Sequence, residues 1–170
     1  MKKLLLPDYI LKNYRELTAH FLLEKGKKAL ILDIDNTLVT YDDDVPTEAL
    51  YNWLSQLSEN GIKIAFVSNN TKERVDLFNS KLSYVAFSKS AKPFVGCLKK
   101  AMALLGVSST ETALMGDQIL TDMLAGNRMG LLTVLVPPIK DKRDAFTRFK
   151  RLLERPVLKK YYRNEKEKLQ

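Results

Sequence analysis

Cysteine and histidine are nearly missing from this chain, with one of each in 170 residues. A single cysteine, Cys97, excludes an intramolecular disulfide. It stands among apolar and basic residues in a predicted helix and reads as a buried, inert thiol. His20 alone gives no basis for a histidine-built zinc site or a Ser–His or Cys–His pair. Long apolar runs are also missing. No stretch approaches the roughly 20 residues that a membrane-spanning helix needs. Met1-Lys2-Lys3-Leu4-Leu5-Leu6-Pro7 begins like a secretory leader, but Pro7-Asp8 closes it too early. A cytoplasmic protein is expected, with membrane contact confined to its surface.

What remains is one domain of ordinary size, 45% hydrophobic and able to bury a core. The net charge of +8 is unevenly placed. From Lys140 to Gln170 there are 12 Lys and Arg against 5 Asp and Glu, so this segment carries +7 of it. A nearly neutral body with a basic tail favours anionic partners: acidic lipid, nucleic acid or an acidic protein. The same charge also suits a solvated terminal helix.

Ile10, Leu11, Tyr14, Leu17, Phe21 and Leu22 recur at helical spacing, which predicts an amphipathic helix over residues 8–22, packed on the core. Lys2, Lys3, Lys12 and Arg15 flank it and would suit an anionic surface. Short aliphatic runs then alternate with helical patterns. Strands are predicted at 29–32, 63–67, 84–87, 112–115 and 131–136. Helices are predicted over about 46–60, 71–82, 93–105 and 121–125, the last stopped at Gly126-Asn127. The alternation implies an α/β fold, a three-layer doubly wound parallel sheet of Rossmann-like form, whose ligand crevice lies beyond the carboxyl ends of the strands. The expected division is an N-terminal amphipathic helix within 1–28, a catalytic core at 29–138 and a basic helical tail at 139–170.

The carboxyl ends of the predicted strands hold an unusual set of residues. Asp33-Ile34-Asp35-Asn36-Thr37 follows Ala29–Leu32, Ser68-Asn69-Asn70 follows the second strand, and Lys92-Pro93 lies past the third. Gly116-Asp117 follows the fourth, with Asp122 five residues on. In extended backbone Asp33 and Asp35 would share a face, and like charges that close need a cation between them or a shared proton. Asn36 and Asn70 read as turn residues and Thr37 as support for the loop.

These four motifs, in order, resemble the haloacid-dehalogenase (HAD) superfamily of phosphotransferases. The resemblance implies that Asp33 is a nucleophile, Asp35 a general acid and base, and Ser68 and Lys92 partners of the transferring phosphoryl group. It also implies Mg²⁺ held by Asp33, Asp117, Asp122 and the backbone carbonyl of Asp35. Asn69 would add a phosphate contact. Aspartate at position 35 suits phosphatases and mutases rather than dehalogenases. Neither the 37–68 nor the 68–92 interval has room for a cap domain, so an open, capless site is implied. Gly116-Asp117-Gln118-x-x-Thr121-Asp122 followed by Gly126-Asn127-Arg128-Met129-Gly130 is similar to the YqeG-type branch of subfamily IIIA and to phosphatases of phosphatidylglycerophosphate. That likeness implies a lipid phosphate monoester, with Arg128 as a head-group contact. The alternative is a HAD-fold adaptor that uses its basic tail on RNA, an acidic protein or a membrane surface.

Overall fold

The computed structural model describes residues 4–140 and 154–163. Six strands form one all-parallel sheet: β1 (Tyr9–Ile10), β2 (Ala29–Leu32), β3 (Lys63–Val67), β4 (Val85–Phe87), β5 (Thr112–Gly116) and β6 (Leu132–Leu135). The connecting helices are α1 (Ala19–Glu24), α2 (Glu48–Glu59), α3 (Lys72–Asn79), α4 (Gly96–Leu105) and α5 (Leu124–Met129). The spatial order is β1-β6-β5-β2-β3-β4. The chain winds outward from β2 through β3 to β4, then returns to β5 on the other side of β2. The switch point therefore falls between β2 and β5, where a doubly wound sheet opens its crevice. Register pairs Leu32 with Met115, so the loops carrying Asp33 and Asp117 leave the sheet side by side.

Period-two alternation divides the core. Leu30, Leu32, Ile64, Phe66 and Met115 pack on one face with Leu22, Trp53, Leu54 and Phe78. Ile31, Ala65, Val67 and Leu114 face the other way, against Leu98, Ala101 and Met102 of α4 and Ala125 of α5. Burying each large aliphatic or aromatic side chain contributes about 1.5–3 kcal/mol. The β2–β3 and β3–β4 connections each hold a single helix, so neither carries a cap domain.

Residues 8–22 are not the single helix that their periodicity predicts. They form β1, a 3-10 turn at Tyr14–Glu16, and α1. Two caps break the helix: Asn13 Oδ1 accepts from Arg15 N, and Thr18 Oγ1 from Phe21 N. The edge of β6 supplies the competing partner, since Asp8 N donates to Thr133 O and Leu11 N to Leu135 O, both at 3.0 Å. An unpaired strand edge is thereby closed. The apolar positions still mark the inward face: Tyr14, Leu17 and Leu22 are buried, and Trp53 Nε1 donates to Leu17 O.

The helix predicted at 121–125 is also displaced. A π-helical turn spans Ile119–Met123, and α5 runs through Gly126-Asn127 to end at Gly130. Gly126 is a packing residue rather than a stop: a Cβ there would lie 2.5 Å from Thr133 Cγ2. Cys97 is half-buried against the α4 face of the core. Of the basic tail, residues 154–163 are helical, and Val157 and Leu158 pack near Ile119 and Leu135. The remainder of the tail past residue 140 lies outside the described residues, as do Lys2 and Lys3. Among the described residues no helix is long and apolar enough to cross a membrane.

Candidate active site

Beyond β2 the ladder continues through Asp33, whose N–H donates to Met115 O, and the chain turns at Asn36. Asn36 adopts a left-handed φ of 65°, which Asn tolerates, and its N–H donates to Val39 O in a tight loop. Ile34 turns into the core, while Asp33 and Asp35 are held near the surface of the crevice but almost fully buried. The two carboxylates do not share one cation. Lys92 Nζ lies 2.7 Å from Asp33 Oδ1, and Thr37 Oγ1 donates to Asp33 Oδ2 at 3.2 Å. Asp35 is gripped by Arg74, whose Nε donates to Oδ1 at 3.1 Å, and by Asn70, whose Nδ2 donates to Oδ2 at 2.9 Å.

β5 and the π-helical turn deliver the other acids. Asp117 and Asp122 are buried, and one carboxylate oxygen from each of Asp33, Asp117 and Asp122 lies within 4.8 Å of the others. The turn is built around Asp122: Gln118 N and Thr121 Oγ1 donate to its Oδ2, and Lys92 Nζ meets its Oδ1 at 2.7 Å. Gly116 makes the approach possible, because a Cβ there would stand 2.3 Å from Asp122 Cγ. The sequence places these residues at strand ends; the structure brings Asp33, Asp117, Asp122 and Lys92 into one contact group. The Asp35 side chain stays outside the acidic triad.

Among the described residues, Asp33 and Asp122 share the Lys92 ammonium. Burial raises Asp33 to about 6, reinforced by Asp122 and Asp35 and opposed by Lys92. Burial acts to lower Lys92, but Asp122 and Asp33 outweigh it and hold its proton above the ordinary lysine range. The donor set is all oxygen and closely spaced, and it fits a divalent cation such as Mg²⁺.

Ser68 is buried at the end of β3, and its Oγ accepts from Asn70 N at 3.1 Å, leaving the hydroxyl hydrogen to donate elsewhere. Asn69 is turned toward protein. Its Oδ1 accepts from Ser90 Oγ and Lys92 N, both at 2.7 Å, and its Nδ2 donates to Lys92 O at 3.1 Å. This clamp offsets strain in the loop before Lys92, where Lys89 and Ala91 hold positive φ of 46° and 55°. Arg128 is exposed, and its guanidinium rests on Pro93 O at 3.4 Å, beside the Lys92 loop.

Three contributors escaped the sequence reading. Arg74 and Asn70 hold Asp35, although Asn70 reads locally as a turn residue. The placement of Arg74 in the first turn after Ser68-Asn69-Asn70 was the available signal. Glu154 is buried and accepts from Ile119 N at 2.8 Å, bracing the turn that carries Asp122 from 35 residues away. Nothing local marks it. Glu154 and Asp117 also line one cleft of about 740 Å³, walled by Ile10, Leu135 and Leu158.

Comparison with known proteins agrees with this geometry. The model of the mitochondrial PGP phosphatase family matches residues 1–140. A probable phosphatase, YqeG, of Bacillus subtilis is 39% identical over 158 residues, covering 93% of this chain and 92% of the relative. Phosphatidylglycerophosphate phosphatase 1 of Arabidopsis thaliana, chloroplastic/mitochondrial, is 27% identical over 95% of this chain, which spans 49% of that protein. In fold, the chain is similar to a putative HAD-superfamily (subfamily III A) hydrolase from Legionella pneumophila. That match has a TM-score of 0.51 and 21% identity, covering 68% of this chain and 69% of the other. With the acidic triad and its lysine at the switch point of a parallel sheet of HAD-like fold, the chain belongs to the mitochondrial PGP phosphatase family and is a phosphatase.

Proposed function

We propose that this protein hydrolyses phosphate monoesters by way of an aspartyl-phosphate on Asp33, with Mg²⁺ as its metal. The observation that carries the proposal is the joint contact of Lys92 with Asp33 and Asp122 inside the acidic triad. Asp33, Asp117, Asp122 and the backbone carbonyl of Asp35 would hold the ion. Bound there, it would offset charge on the carboxylates and on the phosphoryl oxygens.

A carboxylate oxygen of Asp33 attacks phosphorus as the bond to the ester oxygen breaks, and Asp35 gives its proton to that leaving oxygen. Asp35 then takes a proton from water. The water oxygen attacks phosphorus, the bond to Asp33 breaks, and phosphate departs. Lys92 keeps Asp33 oriented and neutralises phosphoryl charge, and the Ser68 hydroxyl donates to a phosphoryl oxygen. Asn69 acts by holding the Lys92 loop in place, with its backbone N–H left for phosphate.

Phosphatidylglycerophosphate is the proposed substrate. The name of the Arabidopsis relative and the family's description support it. So do the β2–β3 and β3–β4 connections, too short for a cap domain, and the basic tail, since each Lys or Arg near an anionic bilayer contributes about 1 kcal/mol. Arg128 at the rim would meet the head group. The protein would work in the cytoplasm in peripheral contact with the membrane.

Asp33→Asn tests the nucleophile. It should lower kcat on p-nitrophenyl phosphate by at least about 10³-fold while the fold is kept, and acid-stable quenching should trap phosphate only on the wild-type chain. Retained turnover in the variant would remove the assignment. Phosphate release from phosphatidylglycerophosphate in Mg²⁺-containing micelles tests the substrate; hydrolysis of other monoesters without it would remove the lipid.

A further inference from the structure

Arg74 is committed more completely than a residue on a surface helix needs to be. It stands in the first turn of α3, where Thr71 caps the helix, and its side chain is only 11% exposed. Nε donates to Asp35 Oδ1 at 3.1 Å, and Nη2 approaches the same oxygen at 3.0 Å. Nη1 donates to Asp44 O at 3.1 Å and Nη2 to Thr40 O at 3.4 Å. The guanidinium also lies 5.9 Å from the centre of the Phe78 ring. One planar group thus joins the second aspartate of the crevice to the loop at 40–44. That loop is tied within itself, since Thr40 N and Oγ1 both donate to Asp43 Oδ2.

Ordering a long arginine side chain costs rotamer entropy, which these contacts offset. An ionised carboxylate offers about four lone-pair sites. Arg74 takes two on Oδ1 and Asn70 one on Oδ2. The geometry points to Arg74 as a positioning residue for Asp35: it fixes the carboxyl's direction and ties it to the 40–44 loop. This inference rests on the reading of Asp35 as general acid. Lysine keeps the charge but lacks the planar fork and cannot hold both Asp35 and the loop carbonyls in one plane.

The test compares two substrates. p-Nitrophenolate leaves without protonation, whereas the alkoxide of an alkyl phosphate such as glycerol 3-phosphate needs a proton. General acid catalysis supplies roughly 10²–10⁴-fold where it is needed. Arg74→Ala should therefore lose at least about tenfold more kcat on the alkyl ester than on p-nitrophenyl phosphate, with KM on the latter little changed. Arg74→Lys should recover part of that difference. Circular dichroism melting establishes that each variant folds, and if Arg74→Ala does not, the ratio in Arg74→Lys decides. Equal losses on both substrates, or none, would overturn the inference. Asp35→Asn separates the two levels: equal losses in that variant would remove the acid role itself. A selective loss there with none in the Arg74 variants would remove only the positioning role.

Discussion

Lys28 and Lys92 both make ion pairs in this molecule, and their surroundings give those pairs opposite meanings. Lys28 meets Glu111 at 2.5 Å at the amino edge of the sheet, with its side chain 66% exposed. Lys92 meets Asp33 and Asp122 at 2.7 Å at the carboxyl edge, with its side chain 2% exposed. The outer pair replaces water with a carboxylate in a high-dielectric setting and gains little. The inner group has lost its water, and every charge in it depends on the others. Close contact alone is thus no guide to importance. The amino edge shows how a parallel sheet is finished, while the carboxyl edge shows charge kept out of water by mutual pairing.

Removing each lysine is the direct way to break that contrast. In metal-free buffer, Lys92→Met should destabilise the fold by about 3–5 kcal/mol, because buried Asp33 and Asp122 lose their shared ammonium. Urea unfolding measures this, and a loss below about 1 kcal/mol would show that water or proton uptake already satisfies the triad.

Proton linkage at the inner site gives an intermediate effect. Asp33 is raised to about 6 in the fold from a reference near 3.8. The native state therefore binds more protons between those values, so stability present below about pH 4 is lost as pH rises through 6. With EDTA present, wild type should lose on the order of 2 kcal/mol relative to Asp33→Asn between pH 4 and 7. Parallel pH profiles for the two proteins would contradict the cost assigned to burial.

The smallest effect belongs to the outer pair. Lys28→Met should move Tm by less than about 2 °C, and added salt should erase most of that shift. A larger loss would mean that the amino edge is more coupled to the core than its exposure implies.

The chemistry of the site was legible because it is local to strand ends. An aliphatic run closing on Asp33-Ile34-Asp35, and another closing on Gly116-Asp117, announce buried strands that deliver carboxylates to one edge. Hydrophobic periodicity also marked the inward residues of the N-terminal segment, though not its backbone. Caps at Asn13 and Thr18 and the free edge of β6 outweighed a weak helical preference there. Asn69 illustrates a different limit: beside Ser68 it reads as a phosphate contact, yet its amide is occupied by Ser90 and Lys92. Its role became visible only once the loops were placed together.

The order of apolar and acidic residues determined by itself that this chain forms a parallel sheet with carboxylates, a serine and a lysine at its functional edge. Hydrophobic alternation and strand termination act over a few residues, and a linear pattern records them. Tertiary structure alone decided which charges meet: Lys92 with Asp33 and Asp122, Arg74 with Asp35, and Glu154 beneath the turn that holds Asp122. Those pairings depend on dielectric and on distances between residues 30 to 60 positions apart. Such distances exist only after the strands have taken their order in space.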